Sequence, residues 1–123
     1  MSSMVVLCLF FFFTVKHFIF DFAYQPPYQW QNKGTYGHMG GIVHSGIHAM
    51  VSLPILLFVA SLPVALGLAL FEFIVHYHID WSKMNINKKM GWTATTHNEF
   101  WILLGVDQLL HYMTYIVMIG FLI

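Results

Sequence analysis

The chain has few charged residues and no arginine. Its 123 residues include five basic residues, all lysine, and five acidic residues, so the formal net charge is zero. A nucleic-acid partner is excluded, because no basic stripe is available to neutralise phosphates. Cys8 is the only cysteine, so the chain cannot form an intrachain disulfide.

Most residues of the chain are apolar. Hydrophobic residues make up 59% of the chain, and the mean hydropathy is +0.70. This composition excludes an ordinary soluble domain and predicts contact with a lipid bilayer. Four apolar stretches are long enough to span a bilayer as helices; they cover approximately residues 4–22, 41–60, 63–81 and 96–121.

We therefore predict an all-α polytopic membrane protein, a single membrane domain over residues 1–123 built as an antiparallel four-transmembrane-helix bundle. The first stretch has no basic segment before it and no small-residue cleavage site, so we expect a retained helix rather than a signal peptide. Pro54 predicts a kink in the second helix, because membrane helices tolerate proline. The segment 82–95 is hydrophilic and is expected to be a loop.

Each predicted helix carries two metal-ligand side chains four residues apart. Residues at this spacing share one face of a helix, and ionisable groups inside a bilayer usually face inward and mark function. In an up-and-down bundle, all four pairs lie toward the same leaflet. The pairs are His17/Asp21, His44/His48, His76/Asp80 and Asp107/His111.

These residue types predict a buried metal site. Imidazole suits zinc, iron, copper and nickel, whereas carboxylate suits harder ions such as manganese and magnesium. The eight side chains exceed the three or four protein ligands of one zinc. Either two metals bind, or some of the eight only orient the ligands. We expect a divalent transition metal, with zinc favoured.

Further residues are expected to surround this site. Glu72 lies one helical turn before His76, and either Glu72 or Asp107 is a candidate general base. Lys16 is expected to extend to the membrane interface, and His78 points away from the His76 face. An opening on the lysine-bearing side is predicted to bind substrate, bordered by Gln25, Lys33, Lys83 and Gln108.

The polar motifs, taken in order along the chain, resemble those of the DUF3307 membrane proteins of bacteria and their phages. The resemblance covers nearly the whole chain and implies a fold and motif positions, but no activity. A more distant similarity in motif logic is to inner-membrane metal-dependent hydrolases, which is analogy alone. The matching residues are His17, Asp21, Gln25, Lys33, His44, His48, His76, Asp80, Trp81, Lys83, Asp107, Gln108 and His111.

Three functions remain open at this point. The first is a metal-dependent hydrolase that acts on a lipid-like substrate near one leaflet. The second is a structural or partner-binding subunit, in a homo-oligomer or with another protein, whose polar core specifies helix packing. The third is a metal or proton transporter. The segment 51–71 has no polar side chain except two serines, which argues against a polar path across the membrane.

Lysine positions predict the topology. Lys33, Lys83, Lys88 and Lys89 follow the first and third predicted helices, whereas the termini and the 61–63 turn have none. The positive-inside bias then places the lysine segments in the cytoplasm and both termini outside. We expect a bacterial inner-membrane location.

Overall fold

The computed structural model describes all 123 residues, and every regular element in it is helical. The predicted all-α fold is confirmed. Four helices are long and apolar enough to cross a membrane. The elements are α1 (Ser3–Phe18), which continues into a π turn (Ile19–Ala23), then α2 (Pro27–Trp30), α3 (Met39–Leu57), α4 (Leu62–Met90) and α5 (Asn98–Gly120).

The end of α1 departs from regular α-helix. The backbone N–H of Tyr24 donates to the carbonyl of Ile19, 2.6 Å away, which is the i→i+5 bond of a π turn. Such turns are frequent at functional sites. This one contains Asp21, so the backbone changes geometry where the first aspartate enters the bundle interior.

Helix α4 is longer than its sequence predicts. We expected a helix end near residue 81 and a loop to residue 95, but α4 runs to Met90. Gly91 ends it with a left-handed backbone, φ 70°, and Lys88 and Lys89 occupy the last turn. A left-handed glycine and basic residues are typical of a helix C-terminus. The prediction was wrong because hydropathy detects the apolar length of a helix and not its polar extension.

Neighbouring long helices pack antiparallel, and the two ends of the bundle differ in content. At one end, the interior is apolar, with Phe13 stacked on Tyr115 at 5.2 Å between ring centroids. Large side chains on the outside of all four helices, such as Phe11 and Met50, are exposed as expected for lipid contact. The apolar interior is formed by Leu9, Phe13, Ala49, Leu56, Ala65, Leu68, Ala69, Tyr115, Met118 and Ile119.

The other end of the bundle is polar inside and is covered by α2 and its flanking loops. Helix α3 starts directly against this cover. A Cβ atom at Gly40 would collide with the carbonyl oxygen of Tyr28, so glycine at this position lets the chain pack closely. The cover brings Gln29 and Lys33 into the interior, where both are buried.

Candidate metal centre

The four helices bring the paired polar residues together in one buried cluster. Two groups of four ligand atoms each lie within 4.8 Å of one another, and both groups contain Asp21 and His76. His44 and His48 complete the first group, and Asp80 and His111 complete the second. We call these six residues the His/Asp cluster: Asp21, His44, His48, His76, Asp80 and His111.

The histidines of the cluster direct their Nε2 atoms toward the two carboxylates. Nε2 of His44 lies 3.0 Å from Asp21 Oδ1 and 3.0 Å from Asp80 Oδ2. Nε2 of His48 lies 3.0 Å from Asp21 Oδ1. Nε2 of His111 lies 3.2 Å from Asp80 Oδ1. Four ligands bonded to one zinc at about 2.0–2.2 Å in a tetrahedron lie roughly 3.3–3.6 Å apart, so these spacings are close to those of a ligand shell.

One carboxylate oxygen of the cluster is left without a hydrogen bond. Asp80 Oδ2 lies 3.0 Å from His44 Nε2, 3.2 Å from His76 Nε2 and 3.5 Å from Lys33 Nζ. None of these contacts has hydrogen-bond geometry, and the atom is buried and unpartnered. Buried polar atoms are nearly always satisfied. The donor set and this orphan oxygen together fit a cation.

A glutamine from α2 orients one of the candidate ligands. His44 Nδ1 donates to Gln29 Oε1 at 3.1 Å, which leaves the lone pair of its Nε2 for the cluster. A hydrogen bond from the second ring nitrogen is the usual support of a metal-bound histidine. Sequence analysis missed Gln29, because it lies in a short polar segment without a recognisable motif.

His17 is placed beside the cluster and has two other partners. Gln108 Nε2 donates to Asp107 Oδ2 at 2.8 Å, so the Oε1 atom of the same amide accepts from His17 Nε2 at 2.6 Å. His17 Nδ1 accepts from the Tyr115 hydroxyl at 3.2 Å. His17 forms a third ligand group with His76 and His111, and its Nε2 atom lies 3.2 Å from Asp21 Oδ2, but both of its ring nitrogens already have hydrogen-bond partners.

Asp107 lies at the edge of the cluster and outside its ligand groups. Its Oδ2 atom accepts from Lys83 Nζ at 3.1 Å. Its Oδ1 atom lies 3.4 Å from His111 Nε2 and is buried without a hydrogen-bond partner. The carboxylate is therefore fixed on one oxygen and free on the other.

Glu72 is separated from the cluster by its own ion pair. It is paired with Lys16, and both side chains are at most 2% exposed. Lys16 also donates to Ser52 Oγ at 2.8 Å and to the backbone carbonyl of His48 at 3.1 Å. The interface position expected for Lys16 is wrong: an acidic partner on α4 satisfies its charge inside the bundle. Such a pairing could not be found from sequence spacing, since its partners lie on different helices.

A cavity of about 340 Å³ connects the His/Asp cluster with the surface. Asp21 forms part of its wall, and its rim includes Phe22 and Trp30, which are 53% and 45% exposed. The four residues expected to border an opening, namely Gln25, Lys33, Lys83 and Gln108, all line this cavity. We call it the lysine cavity. His78, expected to point away, is exposed and hydrogen-bonded to Tyr36.

Fold and site together define an all-helical, membrane-type protein with a buried His/Asp cluster that could hold a metal ion. A family model described as "Protein of unknown function (DUF3307)" matches residues 9–123. Because the match covers nearly the whole chain, the protein belongs to this family. Comparison with curated proteins and with solved structures gave no match.

Proposed function

We propose that the protein is an integral-membrane, metal-dependent hydrolase that acts on an amphiphilic substrate with an anionic head group. The observation that carries the proposal is the lysine cavity, which ends at Asp21 of the His/Asp cluster. A closed polar core that only specifies helix packing would not need such an opening. Metal sites in catalysis, in contrast, keep a position accessible to water or substrate.

The cluster supplies the metal ligands in this proposal. Its imidazole and carboxylate groups fit a divalent transition metal, with zinc favoured by the number of histidines. A bound divalent ion polarises a carbonyl or phosphoryl oxygen and activates water at neutral pH. Asp21 borders the cavity, so an ion that it binds would be open to water and substrate there. Glu72 is tied to Lys16, which favours a role in holding the helices over the catalytic role that its spacing indicates.

Two lysines and two amides provide the head-group site. Lys33 and Lys83 line the cavity, as do Gln25 and Gln108. Ammonium groups bind phosphate and carboxylate oxygens by charge-assisted hydrogen bonds. The apolar part of a lipid-like substrate would then leave the cavity past Phe22 and Trp30 into the bilayer.

Transport has less support. The buried polar side chains are confined to one end of the bundle, and the opposite end has an apolar interior. A continuous polar path through one chain would require buried polar groups at both ends.

For the orientation, we propose an inner-membrane protein with the lysine-bearing end in the cytoplasm and both termini outside. The support is chiefly the exposed Lys88 and Lys89.

The hydrolase proposal is tested with the purified full chain in detergent micelles, loaded with Zn²⁺. The probes are chromogenic phosphodiesters, phosphomonoesters and carboxylic esters that carry an acyl chain. Turnover should disappear with a chelator and in His76→Ala, and persist in the exposed control His78→Ala. Lys83→Met should raise KM for anionic probes roughly 10–100-fold, since a charge-assisted hydrogen bond contributes about 1.5–3 kcal/mol; the exposed control Lys89→Met should not.

Protein that binds metal but hydrolyses none of these probes would contradict the proposal. It would favour the structural alternative, in which the metal stabilises the packing of the four helices. Equal turnover in His76→Ala and His78→Ala would show that hydrolysis does not depend on the cluster.

A further inference from the structure

The ligand atoms of the His/Asp cluster cannot all bind the same ion. Two ligands bonded to one ion at about 2.0–2.2 Å can lie at most about 4.4 Å apart. His48 belongs to one four-atom group and His111 to the other, and no group within 4.8 Å contains both. A single ion can therefore bind either histidine, but not the two together.

The arrangement of the imidazole rings supports this separation. His76 stands between the other two, with its ring centroid 4.0 Å from that of His48 and 4.1 Å from that of His111. These three histidines come from α3, α4 and α5. The cluster is thus extended, with His48 at one end and His111 at the other.

Both aspartates of the cluster lie between the two sets of histidines. Asp80 Oδ1 faces His111 at 3.2 Å, whereas Asp80 Oδ2 faces His44 at 3.0 Å. A carboxylate that is shared between two ions presents its oxygens in this way. Asp21 belongs to both four-atom groups, the one with His48 and the one with His111.

Each end of the cluster also has a buried oxygen without a hydrogen bond. Asp80 Oδ2 is the orphan on the His44 side, and Asp107 Oδ1 is the orphan on the His111 side, 3.4 Å from that ring. One ion would satisfy only one of them. Two ions would satisfy both, and would give Asp107 the ligand role that its spacing from His111 predicts.

We propose that the cluster is a dinuclear metal centre, with Asp80 and Asp21 shared between two divalent ions. His44, His48 and His76 bind the first ion, and His111 and Asp107 bind the second. The proposal rests on the metal-binding part of the proposed function and goes beyond it. Two-metal sites are typical of enzymes that hydrolyse phosphoesters, so this centre narrows the substrate to an amphiphile with a phosphoester head group.

Charge supports the same assignment. Three aspartates offset three of the four positive charges of two divalent ions, and Lys33 and Lys83 add further positive charge at the cavity. An anionic substrate would compensate the excess. A phosphoester provides that charge.

The test loads the purified full chain with Mn²⁺ alone and measures the metal content by elemental analysis and the spectrum by electron paramagnetic resonance. We expect two ions per chain and an exchange-coupled signal. His48→Ala should keep one ion on the His111 side, and His111→Ala should keep one on the His44 side. Both variants should show the uncoupled six-line signal, and the exposed control His78→Ala should match the native protein.

The outcomes separate this inference from the broader proposal. One uncoupled ion per native chain, lost in both His48→Ala and His111→Ala, would overturn the dinuclear centre and leave metal binding intact. A native chain that takes up no ion would overturn both. If a variant fails to fold, the stoichiometry and the coupling in the native chain still decide.

Discussion

The same four helices enclose two interiors of opposite character. At the end near the 61–63 turn, apolar side chains such as Leu56 and Met118 are completely buried against one another. At the other end, five histidines and three aspartates are almost completely buried. An apolar groove of about 560 Å³ between α1 and the end of α3 belongs to the first end, and its lining includes the thiol of Cys8 but no charged group.

The difference indicates that the two ends of the bundle have different roles. In lipid, apolar side chains gain little from association, so the apolar end holds the helices together by close packing. The polar end costs free energy, because buried ionisable groups are expensive unless they are paired or bind a metal. The protein retains this cost in one half only, which indicates a function located there.

The largest expected effect separates the two ends by metal binding. His76→Ala removes a side chain that belongs to all three ligand groups. Loss of a residue that hydrogen-bonds to a metal ligand typically lowers metal affinity about 10–100-fold. Loss of the ligand itself should lower the metal affinity by more than this. Metal content of the purified protein measures it, with His78→Ala as control. If Leu56→Ala at the apolar end lost as much metal as His76→Ala, the division between the two ends would not hold.

The ion pair of Lys16 and Glu72 lies between the polar end and the apolar end of the bundle, and we expect the stability of the fold to depend on it. Lys16→Met should destabilise the folded protein by about 3–5 kcal/mol, because it leaves a buried carboxylate without its partner. Denaturant titration of the unfolding free energy in mixed micelles measures this effect. Combining Lys16→Met with Glu72→Leu should restore stability, since no buried charge remains. A single variant as stable as the exposed control Lys89→Met would show that the pair is not buried in the membrane.

A smaller effect is expected at Gln29, which acts on the polar end only. Gln29→Leu keeps the volume of the side chain but removes the hydrogen bond to His44 Nδ1. Metal affinity should fall about 10–100-fold, and the unfolding free energy without metal should fall by about 1–3 kcal/mol, because His44 Nδ1 is left buried without a partner. Competition with a chromophoric chelator measures the affinity. An unchanged affinity would mean that His44 does not depend on α2 for its orientation.

The last prediction concerns which end of the bundle faces the cytoplasm, and it involves no change in stability or metal affinity. A reporter fused after Ile123 should lie outside, because Lys88 and Lys89 keep the polar end in the cytoplasm. Paired reporters, one active only outside and one active only in the cytoplasm, measure the side. A cytoplasmic C-terminus would reverse the orientation while leaving the contrast between the two ends unchanged.

Much of the site could be predicted from sequence, because the spacing of residues along a helix determines which side chains share a face. The i, i+4 spacing places His76 and Asp80 on one face, and alternating helices then place the four pairs at one level. Hydropathy located the apolar spans, but it gave the wrong end for α4, whose last turns are polar. The π turn at Asp21 also has no hydropathy signal.

The sequence by itself therefore determined the class of protein, the four spans and the level at which the polar pairs lie. Only the tertiary structure decided which atoms meet. It hydrogen-bonded both ring nitrogens of His17 to Gln108 and Tyr115, and it paired Lys16 with Glu72. Local spacing is a property of one helix, whereas these contacts depend on how helices rotate and pack against one another.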